Sequence, residues 1–135
     1  MNYEQVWGLR GNPKEDFKTL LEKEDYIIDE NLFYQLIIEN NYLPIFVEQD
    51  EFSIVANKIN IKTILLDAIH SNLTPIFIYG NEHYGIPKNI LDLRKSKFEK
   101  SYTLELKQMG ALQSFNVSNC LSILSYKVME VFNKL

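Results

Sequence analysis

Two polar, glycine-bearing turns hold the residue types best suited to chemistry. The first, Gly80-Asn81-Glu82-His83-Tyr84-Gly85-Ile86-Pro87, follows the apolar run Pro75-Ile-Phe-Ile-Tyr79. The second runs from Gly110 to Ser118 and contains Ser114, Phe115, Asn116 and Val117. A strand ending in glycine lets the backbone turn sharply and a ligand approach closely. Glu82 then projects from the strand end. Gly85 and Ile86 would set free backbone N–H and C=O groups beside it, because a helix start leaves N–H groups unpaired. Such a turn can recognise a nucleoside by its main chain. Taken alone, the octapeptide reads equally well as a loop whose glycines permit tight turns and whose Glu82 caps a helix. In the second turn Ser114 is a good N-cap. Asn116, at the start of an apolar helix, either ties another loop in place or faces a ligand. Two such turns, each between a strand and a helix, describe a binding site at the carboxyl edge of an α/β sheet.

Other constellations say less. His83, next to Glu82, would act as a base if its pKa suits; a surface histidine without a role is the plainer reading. His70 reads as a solvated helix-end residue. The two histidines and the single Cys120 lack metal-ligand spacing, so no metal is expected. There is no Gly-x-x-x-x-Gly-Lys phosphate loop and no Gly-x-Ser-x-Gly nucleophile turn. Cys120 lies in an apolar helix and reads as a small buried hydrophobe. The net charge of −4 argues against broad electrostatic capture of nucleic acid. A local patch remains open at Arg94, Lys95, Lys97 and Lys100, with Lys107 just beyond. An ordinary solvated loop explains that cluster equally well.

These residues need elements to position them. Residues 3–10 read as a short strand or an irregular arm. Asn12-Pro13-Lys14-Glu15 starts a helix that ends near Glu24. Asp29 caps a second helix with Leu32, Phe33, Leu36 and Ile37 on one face, stopping near Asn40-Asn41. Leu43–Val47 is a buried strand. Residues 59–71 form a third helix with an Ile61, Ile64, Leu65, Ala68 stripe. Pro75–Tyr79 is a second buried strand, short, apolar and rich in strand formers. Pro87 opens a short helix to about Leu93, Tyr102–Leu106 alternates as a strand does, and Val117–Asn133 is the longest helix. Helices alternate with strands, so the fold class is α/β with a mainly parallel sheet flanked by helices. Most of the aromatic residues are expected in the core, with a dimer seam as the alternative for Phe17, Phe33, Tyr34 and Tyr126 on helix faces.

The 135 residues suit one domain, with 46% apolar residues for a core and 24% charged residues for solubility. No apolar run approaches the roughly 20 residues that span a bilayer. The N-terminus lacks a signal-peptide pattern. One cysteine excludes an intrachain disulfide and suits a reducing cytoplasm. A cytoplasmic protein without a membrane partner is expected.

In sequence order, the segments resemble the SpoU, or TrmH-like, RNA 2′-O-methyltransferases of the SPOUT superfamily. The second family motif is a strand followed by Gly-Asn-Glu and then Gly-Ile or Gly-Leu with Pro or Ser. Here it stands as Ile76-Phe-Ile-Tyr-Gly80-Asn81-Glu82-His-Tyr-Gly85-Ile86-Pro87. The third motif, Ile-Pro-Met-x-Gly-x-x-x-Ser-Leu-Asn-Val-Ser, stands as Leu106-Lys107-Gln108-Met109-Gly110-Ala-Leu-Gln-Ser114-Phe115-Asn116-Val117-Ser118. Pro44-Ile-Phe-Val-Glu48-Gln49 resembles the strand and Glu-Gln that precede the second motif in many members. The likeness covers residues 43–132 of the single domain.

The resemblance implies a C-terminal trefoil knot, a homodimer, and S-adenosylmethionine bound between the two loops. It implies methyl transfer to a ribose 2′-hydroxyl of tRNA or rRNA. Gly80, Glu82, Gly85 and Ile86 would line one side of the cofactor, and Leu106, Met109, Gly110, Ser114 and Asn116 the other. The sequence departs from the pattern at Lys107, where proline is usual and fixes φ, and at Phe115 in place of leucine. The first family motif, about Asn-x-Gly-x-x-x-Arg, is not found. Its arginine helps activate the acceptor hydroxyl, a poor nucleophile near neutral pH. Arg10 is the candidate for that role, with Asn116 as the other catalytic residue, although the spacing around Arg10 differs. Residues 1–40 are then either a shortened or a diverged N-terminal part. Two alternatives stand beside the enzyme: an inactive homologue serving as an RNA- or protein-binding or dimerisation module, and an α/β domain with a different small ligand.

Overall fold

The computed structural model describes residues 4–6, 30–80, 85–106 and 117–135. They form five parallel strands and five helices in the order β1 (Glu4–Val6), α1 (Glu30–Glu39), β2 (Tyr42–Val47), β3 (Ile54–Val55), α2 (Lys58–His70), β4 (Thr74–Tyr79), α3 (Lys88–Leu91), α4 (Leu93–Ser96), β5 (Tyr102–Glu105) and α5 (Val117–Phe132). The strands lie in the order β1-β4-β2-β5-β3. β2 is central, paired with β4 from Tyr42 opposite Thr74 to Val47 opposite Tyr79, and with β5 from Ile45 opposite Tyr102. The expected α/β class with a parallel sheet flanked by helices is therefore observed. Within 1–40, β1 settles the alternative between strand and arm for Glu4–Val6; the helix expected from Asn12 to Glu24 lies outside the described residues, as does Asp29.

Strand alternation sorts the core into two layers. On one face Phe46, Ile76 and Ile78 pack with Phe33 and Ile37 of α1 and with Ile86, Ile90, Leu93 and Phe98. On the other, Leu43, Ile45, Phe77, Tyr79 and Leu104 pack with Ile61, Ile64, Leu65 and Ala68 of α2 and with Leu124, Val128 and Val131 of α5. α2 buries the whole stripe its spacing marks, Ile61, Ile64, Leu65 and Ala68; in α1 Phe33 and Ile37 are buried, but Leu32 is 44% exposed, a correction to the stripe expected there. Phe33 takes the core reading: it is fully buried against the sheet, so the dimer-seam alternative falls for that residue. Tyr34 packs on that core beside Phe98, with ring centroids 5.4 Å apart. Tyr126 is 71% exposed.

Both buried strands carry a proline without breaking the sheet. Glu48 N donates to Leu104 O and Thr74 N donates to Asn41 O. Even-numbered residues of β2 therefore turn their amides toward β5, and even-numbered residues of β4 turn theirs toward β2. The missing N–H of Pro44 points past the start of β5, which pairs only from Ile45 onward. That of Pro75 points past the start of β1, which pairs only from Ile76. Among the described residues, neither removes a ladder bond. The helices entering these strands end alike, with Asn41 at φ 54° and Asn72 at φ 56°, left-handed positions that asparagine tolerates better than most side chains. α2 begins one residue earlier than expected because Asn57 caps it, its Oδ1 accepting from Asn60 N at 2.7 Å. Pro87 occupies the N-cap position of α3 rather than its first helical residue.

Strand β3 was not anticipated. Parallel strands on either side of a third ordinarily need a crossover of about a dozen residues. Here residues 48–53 suffice, because β3 pairs only with the carboxyl end of β5, from Ile54 opposite Leu104. This short strap is held from below by Arg94.

Candidate functional site at the carboxyl edge

Because all strands are parallel, their exits share one edge. Glu48 leaves β2 between Gly80, which leaves β4, and Leu106, which leaves β5. Sequence-predicted site residues Gly80, Gly85, Ile86 and Leu106 are placed by the structure. Arg10, Glu82, His83, Met109, Gly110, Ser114 and Asn116 lie outside the described residues, as do Phe17 and the side chain of Cys120. His70 is exposed at the opposite edge, at the end of α2, matching a solvated helix-end residue.

The first turn closes on itself. A Cβ at Gly80 would lie 2.2 Å from the carbonyl carbon of Gly85 and 2.3 Å from Ile86 N. Only glycine lets the chain leaving the strand touch the chain returning to it. Gly85 has φ 70°, and a Cβ there would lie 2.9 Å from Glu48 Oε2. That oxygen accepts the Ile86 amide at 3.2 Å, across 38 residues of sequence. Here the structure corrects the sequence reading: the Ile86 N–H is not free but held by Glu48. The other oxygen of Glu48, Oε1, lies 3.3 Å from Gln49 N. Among the described residues no lysine or arginine pairs with Glu48. The Ile86 side chain is buried beside Ile90, so its link to Glu48 is made by its backbone alone.

The segment beyond Glu48 is fastened at several points. Asp50 Oδ1 accepts from Phe52 N at 2.9 Å, an Asx turn. Asp50 Oδ2 pairs with an Arg94 terminal nitrogen at 2.8 Å. The other terminal nitrogen donates to Thr103 Oγ1 at 2.9 Å, and Nε donates to Leu91 O at 2.9 Å. The guanidinium carbon lies 4.9 Å from the centre of the Phe52 ring, within cation–π range. With 10% side-chain exposure, Arg94 joins α4, β5 and the strap from a largely dry position. Burial by itself would raise the Asp50 carboxyl, but the Arg94 hydrogen bond, the Phe52 amide and the Arg94 charge bring it below its usual value.

The basic cluster is divided: Lys95, Lys97 and Lys100 are exposed, whereas Arg94 is withdrawn from the surface. Lys95 lies over the Phe52 ring, Lys97 over the Tyr34 ring, and Lys100 pairs with Asp67 at 2.7 Å. A half-open groove of about 290 Å³ runs beside Arg94, with Phe52, Ile54, Phe98 and Thr103 among its walls. Its buried cation already has three acceptors, so it offers apolar walls more than an anion site. Neither Glu48 nor the glycine turn lines it.

Sequence reasoning passed over Glu48 as a working side chain. The available signal was a lone acid at the exit of an apolar strand, where a ligand site of a parallel sheet would form. Asp50 and Arg94 gave no signal, since nothing in their spacing links them. Among the described residues no group of His, Cys, Asp and Glu could hold a metal, and no helix is long and apolar enough to cross a membrane. No family model, curated protein or solved structure matches the chain.

Proposed function

We propose that the chain binds S-adenosylmethionine at the carboxyl edge of its sheet and methylates a ribose 2′-hydroxyl of tRNA or rRNA. The observation that carries this reading is the closed glycine turn of Gly80 and Gly85 at the exit of β4, at the same edge as the exit of β5. A backbone packed this closely suits recognition of a nucleoside through main-chain groups. The described residues fit such a cofactor, with one adjustment: the Ile86 amide braces the turn rather than meeting the ligand.

The bound cofactor would supply a methyl group activated on a sulfonium. By resemblance, Gly80, Glu82, Gly85 and Ile86 hold its one side and Leu106, Met109, Gly110, Ser114 and Asn116 the other. Asn116 orients the acceptor hydroxyl, and Arg10 stands for the activating cation. Positioning supplies much of the rate when the leaving group is already good. The same reading includes a trefoil knot formed by the segment after β5, and a homodimer in the cytoplasm.

Calorimetric titration with S-adenosylmethionine and S-adenosylhomocysteine tests the cofactor. Absence of heat up to about 1 mM ligand, the affinity equivalent to about −4 kcal/mol, overturns the reading. Methyl transfer to total tRNA and rRNA then separates an enzyme from a cofactor-binding homologue that has lost its activity. The second outcome gains weight from the missing first-motif arginine.

A further inference from the structure

We propose that Glu48 is a positioning residue of this site: its carboxylate holds the glycine turn in the form that accepts the methyl donor. The proposal rests on the function proposed above and adds a residue to it. Three observations carry it. The Glu48–Ile86 bond joins the exit of β2 to the turn across 38 residues, and a carboxylate acceptor makes a stronger bond than a neutral one. Gly85 is glycine where a Cβ would press on Glu48 Oε2 at 2.9 Å, and its φ of 70° is one that L residues resist. Both constraints at one position make the contact a mutual fit. Finally, the root of Glu48 cannot drift. Its own amide is bonded to Leu104 O at 3.1 Å, and two residues later Asp50 is fixed by Arg94 and the Phe52 amide.

The direction of action follows. Among the described residues Glu48 makes no hydrogen bond to Leu106, the other placed loop residue. Its loss therefore loosens the Gly85–Ile86 side of the pocket while the sheet, packed through two apolar layers, stays folded. In enzyme terms, the KM for the methyl donor rises, and the KM for RNA does not.

Three variants of the full chain decide it: Glu48→Gln, Glu48→Asp and Glu48→Ala. Glutamine keeps an acceptor at the same reach. Aspartate keeps the charge but draws the oxygens back by a methylene. The readouts are exchange of the Ile86 amide without ligand, the S-adenosylmethionine dissociation constant, and the melting midpoint. For Glu48→Ala and Glu48→Asp the expected result is about tenfold faster exchange and about tenfold weaker donor binding, the scale of one lost hydrogen bond. Glu48→Gln should restore most of both. Should Glu48→Ala fail to fold, the aspartate and glutamine variants make the same comparison. Wild-type affinity in Glu48→Asp, or equal weakening in Gln and Asp, overturns the proposal. Wild-type protein that binds no S-adenosylmethionine overturns the function itself, a failure distinguished by the wild-type titration alone.

Discussion

The two ends of the sheet use polar side chains in opposite ways. At the amino end, side chains close on one another. Asp67, in the last turns of α2, takes Lys100 Nζ at 2.7 Å and Tyr102 OH at 2.6 Å, and Ser71 Oγ lies 3.2 Å away. One carboxylate gathers three donors and fastens α2 to the first residue of β5. At the carboxyl end Arg94 and Asp50 also close on one another, but at the glycine turn a side chain holds a backbone instead. Glu48 takes one amide of a glycine turn, and close packing of Gly80 against Gly85 replaces side-chain contacts. A carboxylate that already takes three donors rigidifies what it joins. In the function proposed, it is the other backbone groups of the turn that meet the ligand. The amino end should therefore register changes as stability alone, and the carboxyl end as ligand affinity as well.

Gly80→Ala is the strongest way to break that contrast. The added methyl would meet backbone at 2.2 Å and 2.3 Å, and no side chain can swing aside to make room. We expect a loss of about 3 kcal/mol in urea denaturation, together with loss of measurable S-adenosylmethionine binding. An alanine variant with wild-type affinity would show that the turn is not part of the site.

The glycine turn was legible in the sequence because its cause is local: a buried strand must end, and glycine permits the return. The same holds for the buried strands and for the stripes of α1 and α2, whose period is set by neighbours in sequence. Strand β3 was not legible. Ile54 and Val55 pair with Leu104 and Glu105, and nothing in two residues announces partners so far along the chain. The fate of the basic cluster was hidden for a related reason. Arg94 looked available because its acceptors, on Asp50 and Thr103, come from distant elements. Phe33 stayed between core and dimer seam because an aromatic on a helix face reads alike whether a sheet or a second protomer covers it.

Arg94→Met tests whether the strap behind Glu48 matters to the site. It leaves Asp50 and Thr103 without their shared donor, a cost of about 2 kcal/mol. The pH dependence has a definite sign. The Asp50 carboxyl is held below its usual value, so its contribution is present above the unfolded pKa of about 4 and lost as pH falls through the lower folded value. Chemical denaturation between neutral and acid pH should show that acid loss in the wild type and a smaller one in Arg94→Met. Donor affinity should fall modestly, because Glu48 retains its own backbone bond to Leu104. An unaltered acid limb would mean that the pair does not persist in solution.

Tyr102→Phe probes the opposite end. It removes one of three donors from Asp67 and should cost about 1 kcal/mol, with donor affinity unchanged. Burial, then the Asp67 acceptor and its charge, push the Tyr102 phenol up to about 12. A raised folded pKa gives stability that is complete below the unfolded value of about 10 and lost as pH rises toward the folded one. Urea midpoints of the wild type should therefore fall across the alkaline range, and those of Tyr102→Phe should fall less. A change in S-adenosylmethionine affinity in this variant would erase the distinction between the two ends.

The smallest effect should come from a pair belonging to neither end. Lys58 Nζ lies 2.7 Å from Glu130 Oε1, linking the start of α2 to α5. Short distance alone would suggest a strong interaction, and each partner does shift the other: Glu130 raises Lys58, and Lys58 lowers Glu130. The Lys58 side chain is 58% exposed, however, so water and salt screen the attraction, and ordering two long side chains offsets most of what remains. The helices are already joined beneath it by Ile61, Ile64, Leu124 and Val128, a contact that does not depend on charge. Lys58→Met should leave the thermal midpoint unchanged within error at physiological salt, with any difference appearing only at low ionic strength. A clear loss at high salt would mean that surface charge, rather than the apolar layer, holds α5 to the sheet, and the division of labour between the two ends would need a third contributor.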